Sequence, residues 1–280
     1  MTNASELKSR IRRMDEIPTL PVFFNKIMET LECDRASAAD LSRIIEQDPA
    51  LMAKIFRLSN SAYYGRFKKV ATINQAVTTV GFNEVKAISL GIAVFGTFSG
   101  IRNIEEFWLH AMSTAAAVRL IGERNQETGL DKVYSGGLLH DVGKLVMTQL
   151  LGDKYLGLAV DGGDAKTHLE AERSTFGADH AQVGRLVAER WHFPAELVEL
   201  ISSHHFPLRR SVLRPRAVAT VFVADYVAHL SLHEGEPPPL SENEQRIFDL
   251  IGITTAEVND ITEKVRMEQE RIIETFALVV

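Results

Sequence analysis

A His-Asp pair and a lysine interrupt an otherwise apolar run at Leu138-Leu139-His140-Asp141-Val142-Gly143-Lys144. A carboxylate in such surroundings needs a cation, because an unpaired buried charge is costly. That cation could be a lysine, an arginine or a metal. A second anomaly is Asp225, the only charge in the stretch from Ala217 to Ala228. His180 and the adjacent His204 and His205 lie between the two, and Glu106 and His110 lie upstream. Glu106 and His110 are four residues apart and share one face of a helix, so one ion could see both. Mixed imidazole and carboxylate donors suit Fe, Mn or Zn better than Mg or Ca.

Each residue taken alone has a plainer reading. His180 could be a core histidine bonded to backbone, and Glu106 with His110 an ordinary surface pair. Lys144 could serve only as the counter-ion of Asp141, and Asp225 could pair with Arg216. The combination favours a metal site. Of the nine histidines, His168, His192, His229 and His233 show no partner pattern and are read as ordinary.

The elements that must position these groups are helical. Apolar residues recur at helical spacing from end to end and period-two alternation is nearly absent, which predicts an all-α fold. Expected helices are a polar lead-in over Met1 to Arg13, then Val22 to Leu31, Ser37 to Gln47, and Ala50 to Ser59 opened by Asp48-Pro49. Further helices are expected over Ile73 to Val80, Asn83 to Val94, Glu105 to Gly122, Tyr134 to Leu150, His180 to Trp191, Pro194 to His204 and Ala217 to Leu232. Glu234 to Pro239, with three consecutive prolines, reads as a connector. Two amphipathic helices over Ser241 to Thr275 follow. Their stripe of Ile251, Ile253, Val258 and Ile261 is expected to pack on the main body, with partner docking as the other use.

At 280 residues and 45% apolar composition, the chain can bury a full core. The net charge of -6 argues against nonspecific nucleic-acid binding. The basic groupings at Arg66-Phe67-Lys68-Lys69 and Arg209-Arg210 are short and read as solvated loops. The pair Ile73 to Val80 and Asn83 to Val94 has a helix-turn-helix outline, but its second helix offers only Lys86 as a basic side chain, so DNA reading is not expected. The single cysteine, Cys33, allows no internal disulfide, and neither a signal peptide nor a membrane span is evident. A cytoplasmic location is the expectation, with no membrane partner.

The order His, His-Asp, late Asp, filled here by His110, His140-Asp141 and Asp225, resembles the HD superfamily of metal-dependent phosphohydrolases. The longer pattern His140, Asp141, Gly143, Lys144, His180, His204, His205 and Asp225 resembles its HD-GYP branch, which hydrolyses cyclic di-GMP at a two- or three-metal site. Glu106 stands where some members place an extra carboxylate. The N-terminal half is similar to the HDOD family: Leu20-Pro21, Ile45-Glu46-Gln47-Asp48-Pro49-Ala50-Leu51, Leu58-Ser59-Asn60-Ser61-Ala62-Tyr63-Tyr64-Gly65, Ile73-Asn74-Gln75-Ala76-Val77 and Val80-Gly81 carry the likeness. It runs from about Ile17 to about Leu230 and includes Trp191-His192-Phe193-Pro194.

That resemblance implies a bacterial signalling output module, an N-terminal helical lobe packed on an HD-like lobe. The corresponding division is 1–99 for the N-terminal lobe, 100–233 for the HD-like lobe with the candidate metal site, and 234–280 for the connector and C-terminal helices. It implies Glu106, His110, His140, Asp141, His180, His204, His205 and Asp225 as ligands to Fe, Mn or Zn, in two or three ions, with a signalling protein or a nucleotide-type ligand as partner. If the chain is a phosphohydrolase, Asp141 and Lys144 are its catalytic candidates. The Gly-Tyr-Pro segment is absent and only 19 residues separate His205 from Asp225, so metal binding is better supported than cyclic di-GMP hydrolysis.

Overall fold

The computed structural model describes residues 18–279 except 33–35, 65–69, 127–128, 159–164 and 234–238. The expected lead-in helix over Met1 to Arg13 lies outside the described residues. Among those described there is no strand, and the fold is all-α.

The first five helices are α1 (Val22–Glu32), α2 (Ala38–Glu46), α3 (Pro49–Ser59), α4 (Ile73–Val80) and α5 (Phe82–Thr97). Ser37 and Asp40 form a reciprocal capping box at α2, and the Asp48 carboxylate accepts the Ala50 and Leu51 backbone N–H groups ahead of Pro49 at α3. Gly81, at φ 107°, turns α4 into α5 at an angle of 110°. The helix-turn-helix outline is a core element: α5 is buried from Val85 to Phe95, and Lys86 is held by Asp131 at 3.0 Å. A buried helix cannot enter a groove.

The central helix α6 (Ile104–Asn125) packs against α7 (Leu130–Leu139), α13 (Pro215–Leu232) and the last helix, α15 (Thr255–Val279). Trp108, fully buried on α6, donates its indole N–H to Thr275 Oγ1 at 3.1 Å, fastening α15 to the core. Ile251, Ile253, Val258 and Ile261 are all buried, so the stripe of α14 (Glu242–Ile251) and α15 serves core packing. No single helix among the described residues is long and apolar enough to cross a membrane.

One expected helix is two. In place of a continuous Tyr134 to Leu150, the chain forms α7 and α8 (Val142–Leu151), broken at His140-Asp141. Asp141 sits at φ −96° and ψ 15°, in the bridge region, and the His140 ring bonds the Gly137 carbonyl that a continuing helix would need. Apolar periodicity runs straight through this break, so it is invisible to a pattern of hydrophobic spacing. Two helices went unpredicted: a single turn α9 (Asp153–Leu156) and α10 (Ala165–Phe176), whose polar composition hides its periodicity. The remaining elements, α11 (His180–Arg190) and α12 (Ala195–Ser203), match expectation to within a residue or two.

Candidate metal centre

Five separate stretches of chain deliver the candidate ligands to one point. His110 lies on the second turn of α6, His140 and Asp141 at the α7/α8 break, and His180 at the first position of α11, where Asp179 and Gln182 form a capping box. His204 and His205 follow α12, and Asp225 lies within α13. The approach of α8 to α11 requires Gly143, where a Cβ would stand 1.9 Å from the His180 carbonyl oxygen and 2.7 Å from the Gly184 nitrogen. This contact brings His180 to Asp141.

Asp141 spans the cluster. Its Oδ2 lies 3.3 Å from His140 Nε2 and 3.4 Å from His110 Nε2, while its Oδ1 lies 3.3 Å from His180 Nε2 and 3.8 Å from His204 Nε2. Asp225 Oδ1 is 3.1 Å from His110 Nε2 and 3.5 Å from His140 Nε2, and His180 Nε2 is 2.8 Å from His205 Nε2. Donor atoms within 4.8 Å of one another come from His110, His140 and Asp225, from His140, Asp141 and His204, and from His180, His204 and His205. Lys144 Nζ meets Asp141 Oδ2 at 2.6 Å.

The far side of each ring fixes its tautomer. His140 Nδ1 faces the Gly137 carbonyl at 2.7 Å, and His204 Nδ1 faces the Ile201 carbonyl at 2.8 Å. A carbonyl only accepts, so both Nδ1 atoms carry hydrogen and Nε2 is the atom turned inward. Each ring caps its own helix, bonding the residue three positions back. His180 Nδ1 donates instead to Glu172, at 2.8 Å from Oε2. Metal-ligating histidines are oriented by such outer partners.

Burial would raise the Asp141 and Asp225 carboxyls, yet both are held well below the usual carboxylate range. His140 and Lys144 do this for Asp141, and His229 and His110 for Asp225. Burial would lower His140, but Asp141 and Asp225 push it up to about 10. His204 is driven down to about 3 by burial and by the charge on His140. Asp141 Oδ1, Asp225 Oδ1 and His204 Nε2 are buried with no hydrogen-bond partner. Leaving such groups unsatisfied costs roughly 1–3 kcal/mol each, more when charged. Divalent cations in the cluster would satisfy all three, so the donor set fits a metal.

Seven of the eight expected ligands converge, and Lys144 joins them. Glu106 does not. It is exposed on the first turn of α6, where the Asn103 side-chain amide donates to it at 3.3 Å. The i,i+4 spacing puts it on His110's face of the helix, but one turn, about 5.4 Å along the axis, carries it away from the cluster. Sequence reasoning missed three residues. His229 stands one turn after Asp225, with Nε2 3.3 Å from Asp225 Oδ1. Glu172, fully buried on α10, accepts the His180 ring and backbone N–H groups and the Tyr155 hydroxyl at 2.7 Å. His168 lies 3.4 Å from Glu172. The Asp225/His229 and His168/Glu172 spacings, both i,i+4, were the available signal.

Comparison with known proteins identifies the family and the fold. Residues 17–207 match the HDOD domain. The chain belongs to the HDOD domain family. This HDOD chain is 27% identical over 216 residues to an uncharacterized protein of Treponema pallidum, a match covering 73% of the chain and 40% of that relative's length. An HDOD domain protein of unknown function from Geobacter sulfurreducens shares the fold, with a TM-score of 0.76 and 23% identity over 97% of this chain and 98% of the other. So does a candidate phosphohydrolase from Shewanella amazonensis SB2B, with a TM-score of 0.73 and 21% identity over 100% of this chain and 99% of that one. At these identities the likeness establishes the fold of the HDOD chain.

Proposed function

We propose that this HDOD protein is a signalling module built around a divalent transition-metal centre of Fe, Mn or Zn, with two ions and Asp141 spanning them. The observation that carries the reading is the convergence of five imidazoles and two carboxylates around buried oxygen and nitrogen atoms that have no hydrogen-bond partner. Purely structural histidines would have those atoms paired. His110, His140 and Asp225 hold one position, and His180, His204 and His205 the other. A bound ion would supply Lewis acidity toward a phosphate oxygen and lower the pKa of a coordinated water. The residues themselves set the charge and shape of the site: two carboxylates offset by Lys144, with rings locked by Gly137, Ile201 and Glu172. The ligand this charge pattern favours is a phosphate-bearing, nucleotide-type molecule, whose binding would be passed to a protein partner.

A second reading, hydrolysis of a phosphodiester or nucleotide, is favoured by Lys144, a cation at the edge of the cluster where it could face a phosphate. Mn- and Fe-loaded protein incubated with a panel of nucleotides and cyclic dinucleotides separates the two. Binding without product, detected as a thermal shift that chelator abolishes, supports the sensor. Product release abolished by Asp141→Ala establishes the hydrolase instead.

A further inference from the structure

His229 lies outside every motif that points to the metal centre. It sits one turn beyond Asp225 on α13 with its side chain 51% exposed, and its ring centroid is 4.7 Å from that of His110. Three imidazole nitrogens surround Asp225 Oδ1: His110 Nε2 at 3.1 Å, His229 Nε2 at 3.3 Å and His140 Nε2 at 3.5 Å. That oxygen is buried and accepts no hydrogen bond, so the rings stand close without aiming an N–H at it. Donors gathered around a buried oxygen that accepts no hydrogen bond are the arrangement that a shared ion would satisfy. Ligands each about 2.1 Å from one ion lie about 3.0–3.4 Å apart at octahedral or tetrahedral angles. The His110 and His229 distances fall in that range, and the His140 distance lies 0.1 Å beyond it.

We infer that His229 is a further protein ligand to the ion held by His110, His140 and Asp225. That half of the centre then offers three imidazoles and one carboxylate oxygen. The other half, His180, His204 and His205 with Asp141 Oδ1, offers the same set. The two halves are joined through Asp141, whose Oδ2 lies on the side of the first half and adds a carboxylate oxygen there. Because His229 is the ligand nearest solvent, it is also the one an incoming anionic ligand would displace. The inference rests on the metal reading proposed above.

The test is a Co(II) titration of chelator-treated protein, followed by visible absorption, for wild type, His229→Ala and His229→Asn. A half-exposed side chain can be removed without loss of fold, which circular dichroism and melting confirm. Both variants are expected to keep one cobalt at wild-type affinity and to bind the other at least about tenfold more weakly, with an altered ligand-field band. Free imidazole should restore that band in His229→Ala. Wild-type affinity and spectrum in both variants would overturn the role of His229 and leave the metal centre standing. A wild-type protein that takes up no cobalt would overturn the proposed function, and this inference with it.

Discussion

His180 turns its Nε2 toward the cluster because Glu172 holds the opposite side of the ring: Nδ1 lies 2.8 Å from Oε2, and the same oxygen accepts the His180 backbone N–H at 2.8 Å. One fully buried carboxylate thereby fixes both the tautomer of a candidate ligand and the start of the helix that carries it.

Replacing Glu172 with glutamine leaves one acceptor oxygen for three donors. The account predicts a fall in metal affinity of about 10- to 100-fold, read by competition with a chromophoric chelator. A stability loss of roughly 1–3 kcal/mol should accompany it in urea denaturation of the chelated protein. Unchanged affinity in a folded Glu172→Gln variant would remove Glu172 from the site.

Gly143 tests the helix approach. Its missing side chain is what allows the first turn of α8 to touch the His180 carbonyl, so Gly143→Ala must push backbone from backbone. A destabilisation of about 1–3 kcal/mol is expected, together with weaker metal binding because Asp141 and His180 separate. Gly152→Ala is a poor control, since its φ of 57° adds strain of a different kind. Gly100→Ala, with nothing within 4 Å of the added carbon, should leave binding unchanged.

The protonation of His140 predicts a pH dependence. Its folded pKa, raised from 6.5 to about 10 by Asp141 and Asp225 over the opposing effect of burial, means that the metal-free fold gains stability from the charged ring. That contribution is full below about 6.5 and is lost as pH rises through about 10. A metal ion must displace this proton, so apparent affinity should rise with pH across the same window. Calorimetric titrations in buffers of different ionisation enthalpy should show proton release on binding at pH 7. No release would contradict the protonated ring.

A second linkage concerns the C-terminal helix. Glu257 accepts the Thr254 backbone N–H at 2.9 Å and its hydroxyl at 2.7 Å, and pairs with Arg124 on α6, which lowers its carboxyl from 4.5 to about 2. A depressed pKa gives stability that is present above about 4.5 and lost as pH falls toward 2. Glu257→Gln should melt lower than wild type at neutral pH and converge with it as pH falls toward 2, measured by thermal melting.

The helices and most of the candidate ligands were legible because each has a local signature. Asp48-Pro49 announces α3, and His140-Asp141 and Asp225 stand out as charges in apolar runs. What escaped depends on the path of the chain in space. The α7/α8 break lies inside a continuous apolar pattern, and its cause, a ring bonding the Gly137 carbonyl, has no compositional trace. Glu172 sits on a polar helix that buries one acid, so its neighbours make it look solvated. Glu106 failed for the opposite reason: helical spacing fixes the face a side chain shares, but not whether the end of the helix reaches the site.

The central claim is that these residues hold a metal. The direct measurement is metal per chain by inductively coupled plasma mass spectrometry, on protein purified without added metal or chelator, for wild type and Asp141→Ala. The account predicts near-stoichiometric or greater Fe, Mn or Zn in wild type and its loss in the variant. Metal-free wild type that stays so after reconstitution would contradict it.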